Sequence, residues 1–339
     1  MSHSTSIFDR SVDIKANRAS SLLPDGTDEP NIRVYVAGER AQHAADICLY
    51  FIHGAGSSSM TWHFQVQHLK DIAMIIAPDL RGHASSFVPS TMHMNDLVDD
   101  TELVLLAFKE QIGSRRVILI GHSLGGSIAV RLASRRASTG DISAVVVLDV
   151  AEDTALHSLS IIDKIVCSWP RSFTSQEEYA QWSTTISRPQ SSFSSRISTI
   201  DHLIRGDDHL LYTKFDLLKW RDDWSSWFIG FNDTFLSLRC YKFLILSHRD
   251  NLDTTLLTAI MQGKLECHSM SNPFRSHFFQ EDSPEEFIHV LSGFLRNKGF
   301  ITDEHIKLLH TKIRPPVSVS AESQFSRKFY PGDHFYSHP

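Results

Sequence analysis

Cysteine is scarce in this chain of 339 residues, with only Cys48, Cys167, Cys240 and Cys267. They lie far apart and form no C-x-x-C pair, which excludes a disulfide framework or a cysteine-built zinc site. Their places in or beside apolar runs are those of buried free thiols. Long apolar runs are missing as well: none approaches the ~18 residues that a membrane helix needs. The opening Met1-Ser2-His3-Ser4-Thr5-Ser6 lacks the basic and apolar regions of a secretory signal. Nor is there a basic excess. With 33 Lys and Arg against 39 Asp and Glu, a net charge of −6 and a pI near 6.3, nucleic acid or an anionic membrane is excluded as the main partner. These absences together predict a soluble protein of the cytoplasm, with the nucleus as a second location.

Cofactor signatures are also wanting. The chain has no P-loop and no H-E-x-x-H, and the G-x-G start at Gly54 meets Ser59 where a third glycine belongs. No metal, nucleotide or other cofactor is therefore expected.

What is present is an ordinary globular composition, 42% hydrophobic and 21% charged, enough for a sizeable core. Residues 1–30 are polar around Pro24-Asp25-Gly26 and read as a flexible leader. Short β-rich runs follow at Ile32–Ala37, Ile47–Ile52, Ile72–Ala77, Val117–Ile120 and Val145–Leu148, separated by stretches of helical spacing. One such stretch puts Met94, Leu97, Val98, Leu105 and Phe108 on one face. Alternating strands and helices predict an α/β fold, a mainly parallel sheet flanked by helices on both sides. From about 151 to 235 this rhythm is lost in a segment rich in serine and tryptophan, which predicts a mostly helical cap inserted over the sheet. The rhythm resumes at Tyr241–Leu246 and Leu265–Met270. A last helix starts at Pro284, with Ser283 and Glu286 spaced as a capping box. The main domain is thus expected over 31–310, and 311–339 reads as a disordered tail.

The most informative stretch is Gly121-His122-Ser123-Leu124-Gly125, set between the β run Arg116–Ile120 and the helical run from Gly126. A strand that stops at a G-x-S-x-G turn and continues as a helix forces the serine into strained backbone and presents its hydroxyl at the sheet's carboxyl edge. An exposed serine needs a base, and the base needs an acid to fix its tautomer. In this kind of fold the acid follows a later strand and the histidine comes last. His277, just before the capped helix, suits the base better than His268, which sits within a strand. For the acid, Asp149 and Asp250 each follow a strand, and spacing does not choose between them. His53-Gly54-Ala55-Gly56 ends an earlier strand, where the N–H of Ala55, with that of Leu124, is placed to form an oxyanion hole. His53 itself reads as a structural hydrogen-bonding residue.

The chain resembles the protein phosphatase methylesterases, α/β hydrolases that demethylate the C-terminal leucine of the type 2A protein phosphatase catalytic subunit. The resemblance covers roughly residues 30 to 300. It rests on His53-Gly54-Ala55-Gly56 with Met60-Thr61-Trp62, on Asp79-Leu80-Arg81-Gly82-His83 and on Ile120–Gly126. More specific are Leu148–Ala155, Trp227–Phe231 with Phe235-Leu236-Ser237, and Met261–Lys264. The resemblance implies a serine carboxylesterase with Ser123 as nucleophile, Asp149 as acid and His277 as base, and the methylated phosphatase subunit as partner. Two departures stand out: Arg275-Ser276 precede His277 where the family has cysteine and glycine, and Asp153 replaces a glycine. The competing readings are a generic small-ester hydrolase and a catalytically weak module that binds the phosphatase.

Overall fold

The computed structural model describes residues 7–16, 30–41, 44–185, 192–271 and 276–312. An eight-stranded sheet runs through the molecule. Its strands are β1 (Arg10–Lys15), β2 (Asn31–Ala37), β3 (Ile47–Ile52), β4 (Met74–Pro78), β5 (Arg116–His122), β6 (Ile142–Leu148), β9 (Tyr241–Leu246) and β10 (Glu266–Ser269). They lie in the order β1-β2-β4-β3-β5-β6-β9-β10. β1 pairs antiparallel with β2, and β2 antiparallel with β4, while the pairs from β4 through β10 are parallel.

The central strands read as unbroken apolar runs because both faces are buried. In β5, Val117 and Leu119 enter the core on one side, and Ile118 and Ile120 enter the core on the other. The first side is covered by α2 (Met94–Ala107) and α3 (Leu124–Arg135), through Leu97, Val98, Ile128 and Ala129. The second is covered by α1 (His63–Leu69) and α10 (Pro284–Asn297), through Val66, Leu69, Phe287 and Leu291. All five residues assigned to one face of the helix around Met94 are buried.

The segment after β6 holds α4 (Glu152–Cys167), α5 (Gln176–Ser183), α6 (Ser192–Ser198), the small antiparallel pair β7 (Leu203–Arg205) and β8 (Leu211–Thr213), and a kinked 3-10 stretch over Leu217–Trp227. α7 (Phe231–Ser237) leads back into the sheet. The tryptophans root this segment: Trp220, Trp224 and Trp227 are buried in the core shared with α3, and Trp227 Nε1 donates to Met92 O at 2.8 Å. Beyond β9 come α8 (Thr254–Met261), the short α9 (Phe279–Asp282) and finally α11 (Asp303–Lys312).

The structure corrects the sequence reading in four places. Within the expected leader, Arg10–Lys15 is the edge strand β1, in register with β2 from Arg10 opposite Val36 to Lys15 opposite Asn31. An edge strand half open to solvent needs no apolar run, so RSVDIK gave little signal. Positions 1–6 and 17–29 lie outside the described residues, as do 313–339 of the expected tail, whose first two residues end α11. The capping box does not form. Ser283 makes no side-chain cap, its N–H is already taken by Phe279 O at 2.8 Å, and Glu286 accepts instead from the Ser271 N–H at 2.7 Å. Finally, of the four free cysteines only Cys48 is buried. Cys167, the last residue of α4, is exposed, although its neighbour Val166 is buried in the core.

Candidate active site

Strand β5 ends at His122, and α3 starts at Leu124, so Ser123 alone makes the turn. It does so at φ 51°, ψ −118°, the strained backbone of a nucleophile elbow. The flanking glycines are sterically required: a Cβ on Gly121 would sit 2.2 Å from Gly125 O, and one on Gly125 2.2 Å from Ile52 O. The Ser123 N–H donates to Leu148 O at 2.9 Å, tying the elbow to the end of β6.

Asp149 follows β6 with φ 53°, a left-handed turn that aspartate tolerates. It is buried and accepts from four sides. The Ser247 N–H reaches Oδ1 at 2.7 Å, the Ser247 hydroxyl is 2.8 Å from both oxygens, and Asn251 Nδ2 is 3.3 Å from Oδ1. His277 Nδ1 donates to Oδ2 at 2.8 Å. Burial pushes this carboxyl up, but the His277 hydrogen bond and charge and the Ser247 donors outweigh it, so it ionises below its usual range. The imidazole of His277 is open to the cavity, at 40% side-chain exposure.

Asp250 does not compete for this position. It lies in a 3-10 turn, 77% exposed, with a carboxyl oxygen 3.0 Å from His248 Nδ1. Of the two aspartates that spacing left open, the one that the His277 ring faces is Asp149. His268, on β10, is not among the residues lining the cavity.

Ser123, Asp149 and His277 border one cavity of about 380 Å³, together with Gly54 and Ala55. Its remaining walls are mainly apolar: Val150, Ala155, Ile162, Ile165, Val166, Trp169, Leu217, Phe228 and Phe278. Among the described residues, nothing accepts a hydrogen bond from the N–H of Ala55 or of Leu124, the two donors expected at an oxyanion hole. The Ala55 loop is held by histidines on both sides. His53 Nε2 accepts from the Leu80 N–H at 2.9 Å while its Nδ1 faces Gly54 O at 2.8 Å, and His83 Nε2 accepts from the Gly56 N–H at 2.9 Å. His53 is thus fully engaged in structure, and burial holds its pKa well below the ordinary value.

Residues missed by the sequence reading complete the site. Ser247 and Asn251 hold Asp149, and His122 Nε2 lies 2.8 Å from the carbonyl oxygen of His277. His122 lies within the elbow motif, but at a position the motif leaves open, and the contacts of all three join segments separated by 98 to 155 positions. Of the departing positions near the base, Arg275 lies outside the described residues. The Ser276 hydroxyl is engaged with Asp282 Oδ2 and with the Phe278 N–H.

A model of the alpha/beta hydrolase family matches residues 49–290. The protein phosphatase methylesterase 1 of Candida albicans is 31% identical over 257 residues, covering 73% of this chain and 68% of its own. That of Schizosaccharomyces pombe is 31% identical over 257 residues, covering 74% of each. The chain belongs to the protein phosphatase methylesterase family of α/β hydrolases. A probable protein phosphatase methylesterase 1 of Caenorhabditis elegans is 28% identical, covering 77% of this chain and 71% of its own. The methylesterase family assignment makes the protein a carboxylic ester hydrolase. Solved structures agree on the fold. E-2-(acetamidomethylene)succinate hydrolase superposes with a TM-score of 0.67 at 18% identity, over 84% of this chain and 99% of its own. A peroxisomal alpha-beta-hydrolase of Saccharomyces cerevisiae gives 0.65 at 15% identity, over 94% and 96%.

Proposed function

We propose that this protein removes the methyl ester from the C-terminal leucine of the type 2A protein phosphatase catalytic subunit, with Ser123, His277 and Asp149 as its triad. The observation that carries the reading is the Asp149–His277 pair, which shares one apolar-walled cavity with a serine in strained elbow geometry. The names of the relatives supply the substrate class.

His277 takes the Ser123 proton as the hydroxyl oxygen attacks the ester carbonyl. Asp149, kept ionised, offsets the imidazolium charge that this creates. The N–H groups of Ala55 and Leu124 receive the developing oxyanion, a contribution of about a hundred- to a thousandfold in rate per donor. His277 then passes its proton to the departing methoxide, and methanol leaves an acyl-enzyme on Ser123. A water deprotonated by His277 attacks the acyl carbonyl, and His277 returns that proton to the Ser123 oxygen as the acid is freed. The apolar wall suits a leucine side chain on the acyl part. Ile162 and Ile165 of the cavity wall are themselves partly open to solvent, and Ile161 beside them on α4 is exposed, a surface suited to a protein bearing the ester rather than to a small free ester.

The test is methyl release from the C-terminally methylated phosphatase subunit, run beside a short-chain ester, with the native chain and with Ser123→Ala. Release from the protein substrate that vanishes in the variant supports the reading. Hydrolysis of the short ester alone points to a generic esterase, and binding that survives Ser123→Ala with no turnover of either substrate points to a binding module.

A further inference from the structure

We propose that His122 is the positioning residue of the base: its Nε2–H holds the backbone carbonyl of His277 and so fixes the imidazole relative to Ser123. This rests on the assignment of Ser123 and His277 made above. His122 is the last residue of β5 and precedes the nucleophile directly. Its side chain is buried, and its Nε2 stands 2.8 Å from His277 O. The two imidazole rings are packed together, centroids 4.6 Å apart, and the Phe278 ring centroid is 5.0 Å from that of His122.

The tautomer follows from the surroundings. Nδ1 is buried and has no hydrogen-bond partner among the described residues, whereas Nε2 faces a carbonyl oxygen, which only a donor can satisfy. The proton therefore sits on Nε2. Burial and the neighbouring His277 push the pKa down to about 3, so the ring stays neutral and the donor stays in place across the working range of an esterase.

His277 is thereby anchored at two points. Asp149 holds Nδ1 of the ring at 2.8 Å, and His122 holds the main-chain carbonyl at the same distance. With both ends set, the remaining ring nitrogen has little freedom of aim. The clamp on the base is the buried last residue of β5 and the nucleophile is the residue that follows it, so the His277 main chain is tied to the element that carries Ser123. The gain is in geometry: a misplacement of 1 Å in a reacting group costs on the order of a hundredfold in rate.

Three variants separate positioning from packing. His122→Phe keeps a flat ring and loses the donor, His122→Gln can place an amide N–H where Nε2 was, and His122→Asn places its amide where Nδ1 was. Each is assayed for kcat and KM on p-nitrophenyl acetate, normalised to active sites titrated with a fluorophosphonate, and its melting temperature is recorded. The expected result is a kcat lowered by about 10- to 100-fold in the Phe and Asn variants with KM within about threefold, and recovery to within several-fold of native in the Gln variant. Native kcat per active site in His122→Phe, or a Gln variant as slow as the Asn variant, overturns the proposal. If Phe fails to fold, the Gln and Asn pair decides it alone. A native chain that neither turns over the ester nor reacts with the phosphonate instead overturns the serine-esterase assignment, and the proposal falls with it.

Discussion

At Asp149, burial and hydrogen bonding oppose each other, and the outcome sets the chemistry. The carboxyl is buried, yet the His277 ring and the Ser247 donors hold it ionised below its usual range. Because the folded-state value is depressed, the stability this group contributes is present above the ordinary carboxylate range and is lost as pH falls through the depressed value. Asp149→Asn leaves the size of the side chain but no charge to offset the imidazolium. It is expected to lower kcat by ~10⁴, measured with a short ester at pH 8. Ser247→Ala removes the hydroxyl that spans both carboxylate oxygens but leaves the main-chain donor. Its expected loss is about tenfold in kcat, as for one hydrogen bond to a charged group, with unchanged KM. At this scale the sequence was informative wherever chemistry has a local signature. Ser123 sits in a motif whose glycines are sterically forced, and His277 sits just ahead of the last long helix. Asp149 and Asp250 could not be separated by spacing because each follows the carboxyl end of a strand in the same sheet. The family resemblance favoured Asp149, but the contact that separates the two, which one the His277 ring faces, exists only in the fold. The same holds for Ser247, Asn251 and His122.

The strands and helices were legible in proportion to how deeply they are buried. β3, β5, β6 and β9 are apolar on both faces and stand out at once, while β1 is a half-exposed edge strand with alternating charges and was read as leader. The capping box at Ser283 failed because a pattern of residue types does not reveal that the N–H it would use is already bonded. Close packing between elements yields a direct expectation. Gly125→Ala would drive a methyl group into the backbone carbonyls of Ile52 and His53, at 2.2 and 2.5 Å. Backbone there cannot give way, so the variant is expected to lose several kcal/mol or fail to accumulate as folded protein, read by urea denaturation. Glu281, on α9, supplies a second. It is fully buried, between the Thr61 hydroxyl and Ser194 of α6, at 2.6 Å from the latter. Burial raises its pKa from 4.5 to about 8, against the opposing pull of those hydroxyls. Between these two values the folded chain holds a proton that the unfolded chain has released. The group's contribution to stability is therefore greatest below the unfolded value and declines by ~1.4 kcal/mol per pH unit until the folded value is passed. Glu281→Gln lacks this slope, so its stability relative to native should improve from pH 5 to pH 8, as read from urea midpoints. Parallel pH profiles of the two proteins would contradict the assignment.

For the whole molecule, the sheet, with a core on each face, positions a site at the carboxyl ends of its parallel strands, and the segment between β6 and α7 covers it. The tryptophan-rich composition of that segment signalled burial but not its path, which includes the β7–β8 pair that no apolar run announced. Isoleucines are left exposed on α4, and under the proposed function they bear on substrate size. Ile161 is 60% exposed and lies outside the cavity wall. Ile161→Glu is expected to lower kcat/KM on the methylated phosphatase subunit by about tenfold while leaving a short-chain ester unaffected, since charging an apolar residue that a protein substrate covers commonly costs that much. Equal losses on both substrates would show that the residue acts on the fold instead.

The most direct test of the central claim, that Ser123 is a nucleophile activated by His277, is to locate a covalent adduct. The chain is treated with a fluorophosphonate, and the site of modification is mapped by peptide mass spectrometry in the native protein, in Ser123→Ala and in His277→Ala. A single adduct is expected on Ser123 in the native chain, none in Ser123→Ala and a rate slowed by at least about a thousandfold in His277→Ala. An adduct on another residue, or an unmodified chain that still hydrolyses esters, would contradict the claim.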